Sequence, residues 1–317
     1  MRILFLFLDG VGLGDDDPST NPFAAADLPT LTRFTQGRRW LRDLPVIESR
    51  RAVFIPTDAC LGVAGKPQSA TGQATIMTGI NVPMAIGRHY GPKPNPEIAE
   101  IVTRQSVVRV LAECGRSAAL LNAYPSQYIA SLGLGRRLPS SNQLALQVGG
   151  VGFRDGQALL DGRALSADFT GEMWRLHAAR HDAASKVRRA RPLHPDTPII
   201  TPEEAGRLLG RLAREQDFTF FDTWLTDYLG HRGTMAQAIR LLQAIDRVMA
   251  GLLEAWDDSE GLIVLTSDHG NLEALGERGH TRNPVPTLVI GDASHEFAHA
   301  LTDLTGFAPA IRRMLCA

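Results

Sequence analysis

The sequence predicts an α/β fold: a mostly parallel sheet with helices on both faces and a small inserted cap region. Two observations carry this expectation. Short apolar runs alternate with longer stretches whose apolar residues recur at helical spacing, the order expected of strands joined by crossover helices. Asp9, Asp222, Asp268 and His269 each fall where one of these strands ends, and open α/β sheets collect their ligands at that edge. With 317 residues, 44% hydrophobic and 21% charged, the chain is long and apolar enough for one large core or a core with an insertion.

The first strand is Ile3 to Leu8, apolar at every position and therefore suited to burial on both faces of a sheet. The run is too short to span a membrane, and it ends in Asp9-Gly10 without the small-residue cleavage site of a signal peptide. Val107, Val108, Val110 and Leu111 form a helical pattern stopped near Gly115, and the strand Ser117–Asn122 follows. Thr201, Pro202 and Glu204 carry the cap, first-turn proline and capping-box acid of a helix that leads into the strand Phe218–Asp222. The longest helix is predicted from about Thr234 to Trp256, with Ile239, Leu242, Ile245, Met249 and Leu252 on one face. The strands Leu262–Thr266 and Pro286–Ile290 complete the set. Residues 125–199, with helical and irregular pieces and several glycines, read as a cap or substrate region inserted between core segments 1–124 and 200–317.

Lys and Arg total 33 against 34 Asp and Glu, a formal charge of −1. That balance offers no general footprint for nucleic acid or an anionic membrane, so phosphate binding must be local. Cys60, Cys114 and Cys316 lie far apart with no CxxC spacing, which reads as three reduced thiols in a cytoplasmic protein.

Four segments hold residues able to do metal chemistry. Asp9 closes the first strand in Asp9-Gly10-Val11-Gly12, where glycines let the backbone turn and approach a ligand. The loop Gly65–Ala70 enters a helix whose N-terminus favours an anion, and Ser69, Thr71 and Thr75 are its candidate nucleophiles. An ordinary Ser/Thr helix cap would look the same. Asp227 and His231 stand four apart, so one helical turn points both at the same ion. Asp268-His269 follows a strand, and His280 lies on a loop shaped by Gly279, Pro284 and Pro286. Three Asp, three His and a hydroxyl would hold two divalent cations about 4 Å apart, as in phosphoryl chemistry. Mixed Asp and His donors suit Mn or Zn, with Mg a further option.

These segments resemble the alkaline phosphatase superfamily, and most closely its cofactor-independent phosphoglycerate mutases and phosphopentomutases. The mutase loop Asn-Ser-Glu-Val-Gly-His is met by Gln68-Ser69-Ala70-Thr71-Gly72-Gln73, the Asp-x-x-Gly/x-His element by Asp227 to His231, Thr-Ala-Asp-His-Gly-Asn by Thr266 to Asn271, and His-Thr-x-Asn/His-Pro-Val-Pro by His280 to Pro286. The resemblance implies Ser69 as nucleophile, a phosphoserine intermediate, and two ion sites: Asp9, Ser69, Asp268 and His269 in one, Asp227, His231 and His280 in the other. It implies a phosphomonoesterase or phosphomutase acting on a small phosphorylated metabolite, with a non-catalytic metal-binding protein as the alternative. Gln73 replaces the mutase His, which leaves room for the non-catalytic alternative; the mutase substrate insert is not recognisable between about 125 and 200, which tilts the expectation toward hydrolysis. Lys93 and Arg88, after the Ser69 segment, and Arg188 and Arg189, in a basic cluster with Lys186 and Arg191, are candidate substrate contacts.

Overall fold

The computed structural model describes residues 1–175, 196–277 and 279–316. The cluster Lys186, Arg188, Arg189 and Arg191 lies outside the described residues.

Seven strands form one sheet: β1 (Arg2–Leu8), β2 (Ile47–Glu48), β3 (Ala52–Thr57), β4 (Ala118–Leu120), β5 (Phe218–Thr223), β6 (Gly261–Thr266) and β7 (Val285–Ile290), in the order β2-β3-β7-β6-β1-β5-β4. The apolar run of β1 pairs in parallel with β5 on one side and β6 on the other. Because side chains alternate along a strand, Leu4, Leu6 and Leu8 enter one core and Ile3, Phe5 and Phe7 the other. Helices Pro202–Ala213 and Met235–Ala255 cover the first face, and helices Ser69–Thr78 and Phe307–Cys316 the second. Thr201 and Thr234 cap the first two through capping boxes with Glu204 and Gln237.

The sheet is mixed, which corrects the expectation of a mostly parallel one. β4, β5, β1 and β6 are parallel neighbours, but β7 is antiparallel to β6, β3 to β7, and β2 to β3. A proline inside an apolar run argues against a strand because it cannot donate to the ladder. Pro56 of β3 stands directly opposite Pro286 of β7, so the two missing donors share a single register position.

The expectation of three reduced thiols is also corrected. Cys114 and Cys316, 202 residues apart, form a disulfide with Cα atoms 5.9 Å apart, joining the last helix to helix Val107–Glu113; Cys60 is free. Among the described residues no helix is long and apolar enough to cross a membrane. Residues 126–160 contribute helices Ser126–Gly133, Ser141–Val148 and Gly156–Leu160. The second of these packs on the Ser69 helix, where Ser141 Oγ donates to the Ala70 carbonyl at 2.7 Å.

Candidate metal centre

β1 lies between β5 and β6, so the residues that follow these three parallel strands emerge side by side. Asp9 follows β1 and Asp268-His269 follows β6. Helix Leu225–Arg232 begins immediately after β5 and carries Asp227 and His231 one turn apart. His280 reaches the same edge from the loop before β7, which is held by a bridge between Gly270 and Thr281. Gly10 has a left-handed φ of 69°, and a Cβ there would lie 2.6 Å from Asp227 Oδ1. A side chain at this position would therefore separate the segments that bear Asp9 and Asp227.

All seven predicted ligand side chains meet at this edge. His269 Nε2 lies 2.9 Å from Ser69 Oγ, 3.4 Å from Asp9 Oδ1 and 3.5 Å from Asp268 Oδ2. Asp227 Oδ1 lies 3.4 Å from His231 Nε2 and 3.7 Å from His280 Nε2, and the two histidines are 3.3 Å apart. Two compact donor groups result, Asp9/Asp268/His269 and Asp227/His269/His280. The division differs from the one the resemblance implies: His269 belongs to both groups, its ring stacked on that of His280 at 3.7 Å, and His231 stands at the exposed rim.

Of the three candidate hydroxyls, Ser69 faces the cluster. Thr71 donates to the carbonyls of Gln68 and Tyr90, and Thr75 donates to that of Thr71. Ser69 is the first residue of its helix, the cap residue is Gln68, and no side chain caps that end. Ser69 is thus not spent as an ordinary cap, and the helix dipole points at the cluster. Gln73, one turn on, is buried with its amide 3.5 Å from Asp9 Oδ2.

Burial, and then the neighbouring Asp268, Asp227 and Asp222 carboxyls, push Asp9 well above the usual carboxylate range. Burial and then Asp227 do the same to Asp268. Burial pushes His269 and His280 down, so both imidazoles are neutral. His280 Nδ1 lies 2.8 Å from the Pro67 carbonyl, a hydrogen bond that leaves Nε2 as the free donor atom on the cluster side. Asp9 Oδ1 and Asp268 Oδ2 are buried without a hydrogen-bond partner. Closely packed anionic oxygens and neutral imidazole nitrogens form a donor set that a divalent cation satisfies and that protein groups leave unpaired.

The centre opens into a cavity of about 920 Å³ whose wall includes Asp9, Ser69, Gln73, Lys93, Asn122 and Asp222. Of the predicted substrate contacts, Lys93 lies on this wall; burial lowers its pKa, opposed by Asp222 and Asp9. Arg88 does not line the wall but stands exposed, its guanidinium 5.7 Å from the Tyr90 ring centre. Arg188 and Arg189 fall outside the described residues.

Two acidic residues near the centre were not singled out as site residues from the sequence. Asp222, recognised only as a strand end, is buried in the cavity wall with its carboxyl pushed up to about 7 by burial, against the pull of Lys93. Glu273 is buried and accepts hydrogen bonds from Gly12 N at 2.9 Å, Asn271 N at 2.8 Å, Thr281 Oγ1 at 2.5 Å and Asn283 Nδ2 at 2.9 Å. It thereby ties together the loops that follow Asp9, His269 and His280. Asn271 in turn donates to Asp227 Oδ1 at 2.7 Å.

Residues 203–313, which include Asp227, His231, Asp268, His269 and His280, match the Metalloenzyme superfamily. Over that segment the chain is similar to the metalloenzymes of this superfamily. A match to that family implies divalent metal ions. Among curated proteins, the 2,3-bisphosphoglycerate-independent phosphoglycerate mutase of Paracoccus denitrificans (strain Pd 1222) is 34% identical over 100 residues, 29% of this chain and 20% of the mutase. The corresponding mutase of Methylobacillus flagellatus is 28% identical over 111 residues, 33% of this chain and 22% of the mutase. The match thus spans about a fifth of the length of these relatives. The alkaline phosphatase of the Antarctic bacterium TAB5 has the same fold, with a TM-score of 0.55 at 13% identity over 99% of this chain and 97% of that one. The PH0037 protein of Pyrococcus horikoshii aligns with a TM-score of 0.51 at 14% identity, over 96% of this chain and 97% of that one.

Proposed function

We propose that the protein is a two-metal phosphoryl-transfer enzyme that hydrolyses a small phosphate monoester through Ser69. The observation that carries this reading is the position of Ser69 Oγ, 2.9 Å from the histidine common to both donor groups and at the uncapped start of a buried helix. Asp9, Asp268 and His269 would hold one cation, with the Ser69 hydroxyl beside it; Asp227 and His280 would hold the other, with His269 between the two and His231 at the rim. Bound there, the cations supply positive charge against the phosphoryl oxygens as charge shifts onto the departing group.

The chain's own part is positioning and exchange. The Ser69 Oγ–P bond forms as the ester P–O bond breaks; the alcohol leaves with the proton the serine hydroxyl gives up, and a phosphoserine remains. Water then attacks phosphorus, releasing phosphate and restoring the hydroxyl. The helix start favours negative charge on both the serine oxygen and the phosphoryl group, and Lys93 on the cavity wall adds a positive group. We assign residues 125–199 as an inserted cap or substrate region, whose described part contributes Tyr128, Arg137 and Trp174 to the cavity wall. In a mutase, the phosphoserine would instead return its phosphoryl group to the substrate.

The test is turnover of p-nitrophenyl phosphate with added Mn²⁺, Zn²⁺ or Mg²⁺. Phosphate release that requires the metal and disappears in Ser69→Ala is the expected result. Undiminished turnover in that variant overturns Ser69 as nucleophile, and isomerisation of 3-phosphoglycerate without phosphate release would replace hydrolysis by mutase action.

A further inference from the structure

The cavity beside Ser69 is large for the substrates that the curated relatives' names suggest. About 920 Å³ lies at the upper end of the range for sites that enclose a drug-sized ligand, and a three-carbon phosphorylated acid fills a small part of it. Away from the donor groups, the wall is aromatic. Tyr124, Tyr128, Trp174 and Trp224 all line it. Tyr124 and Tyr128 are stacked with ring centres 5.4 Å apart and planes 17° apart. Trp224 is 39% exposed, so a large ring borders the opening without being needed to fill the core.

Charge points the same way. Among the described residues of the wall, the cationic side chains are Lys93 and Arg137. The Arg137 guanidinium lies 5.8 Å from the Tyr128 ring centre, a cation–π position, and Lys93 is the cation in the field of Asp222 and Asp9. Asp222 belongs to neither donor group, yet it is buried in this wall with Oδ1 unpaired. A substrate carrying a carboxylate or second phosphate besides the reacting one would set that charge near Asp222, with only Lys93 and Arg137 among the described wall residues to offset it. A neutral planar group avoids the repulsion and buries its flat faces against the rings.

We propose that the substrate is a phosphomonoester whose alcohol portion is bulky, planar and uncharged, a nucleoside or an aryl group, seated against Tyr128 and Trp224. This inference rests on the phosphoryl-transfer reading above and narrows it to a substrate class. Binding to the Mn²⁺-loaded Ser69→Ala protein, measured by titration calorimetry, tests it without requiring turnover. Adenosine 5′-monophosphate or phenyl phosphate is expected to bind at least tenfold more tightly than 3-phosphoglycerate or glycerol phosphate. A stronger response to the first identifies a nucleoside, and a stronger response to the second an aryl group. In Trp224→Ala and Tyr128→Ala, each combined with Ser69→Ala, the preference is expected to collapse toward unity. Equal or tighter binding of 3-phosphoglycerate, or a preference unchanged in both aromatic variants, overturns the proposal. Those outcomes leave metal-dependent hydrolysis intact, whereas hydrolysis that fails with every metal while the binding preference holds sinks only the reaction.

Discussion

Ser69 combines a free hydroxyl with the start of a buried helix, and Ser69→Ala removes the oxygen while leaving the helix in place. Turnover is expected to fall by roughly three orders of magnitude or more, with unchanged circular dichroism and retained metal binding. Asp222 makes a different prediction. Its carboxyl is raised to about 7 from an ordinary 3.8, so folding disfavours its charged form. The cost is absent below about pH 4, grows as the pH rises to about 7, and stays constant above that; it amounts to roughly 4 kcal/mol. Asp222→Asn should therefore stabilise the metal-free protein at pH 8 and change little at pH 4, as read by denaturant midpoints at the two values. A midpoint gain of equal size at both would remove the buried-charge explanation. The candidate ligand side chains could be picked out in the sequence because their spacing is local: Asp227 and His231 share a helical turn, and Asp268-His269 ends an apolar run. Glu273 could not be read this way. An acidic residue shortly after a motif resembles any surface charge, and only folding brings Gly12, Asn271, Thr281 and Asn283 to its oxygens.

Loops held by Glu273 carry the candidate ligands, so its effect is on the shape of the segments around the site. Glu273→Gln replaces one accepting oxygen by a donating NH₂ that faces backbone N–H groups or the Thr281 hydroxyl and Asn283 amide, whichever way the amide turns. The expected result is a 10- to 100-fold loss of metal affinity, read by competition with a chromogenic chelator, with secondary structure retained. Unchanged affinity would make Glu273 merely structural. Gly72 serves the same geometry from the Ser69 helix: a Cβ there would lie 2.8 Å from the Asp268 carbonyl oxygen, so this helix and the β6 loop approach through a missing side chain. The parallel half of the sheet was readable element by element, because β1, β5 and β6 are apolar runs that precede or follow clear helical patterns. In the antiparallel half β7 was readable as the run Pro286–Ile290, but β2 and β3 were not. β2 spans two residues, β3 contains Pro56, and the prolines of β3 and β7 become tolerable only once they face each other.

At the scale of the whole molecule, a sheet buried on both faces fixes the site at its edge. The two cores lock β1, β5 and β6 in register, and the donor groups hang from those strands. The Cys114–Cys316 disulfide lies elsewhere, closing the C-terminal helix on the second face, and a pairing across 202 residues leaves no local trace in the sequence. Crowding Asp9 and Asp268 beside Asp227 costs stability in the metal-free fold, because burial and neighbouring carboxylates oppose the charged forms of Asp9 and Asp268. A cation that binds the folded chain and not the unfolded one returns that stability by mass action, about 2.7 kcal/mol when its concentration is 100 times the dissociation constant. Protons compete for Asp9 and Asp268, whose pKa values are raised, but not for His269 and His280, which are already neutral. Stabilisation by metal should therefore be small where these carboxyls hold protons and should grow as the pH rises through their elevated range. Thermal unfolding with Mn²⁺, Zn²⁺ or Mg²⁺ is expected to shift upward by about 5 °C or more at pH 8, to shift less at pH 5.5, and to return to its starting point with a chelator. A midpoint indifferent to all three metals at pH 8 would mean that these side chains meet for some purpose other than holding a cation.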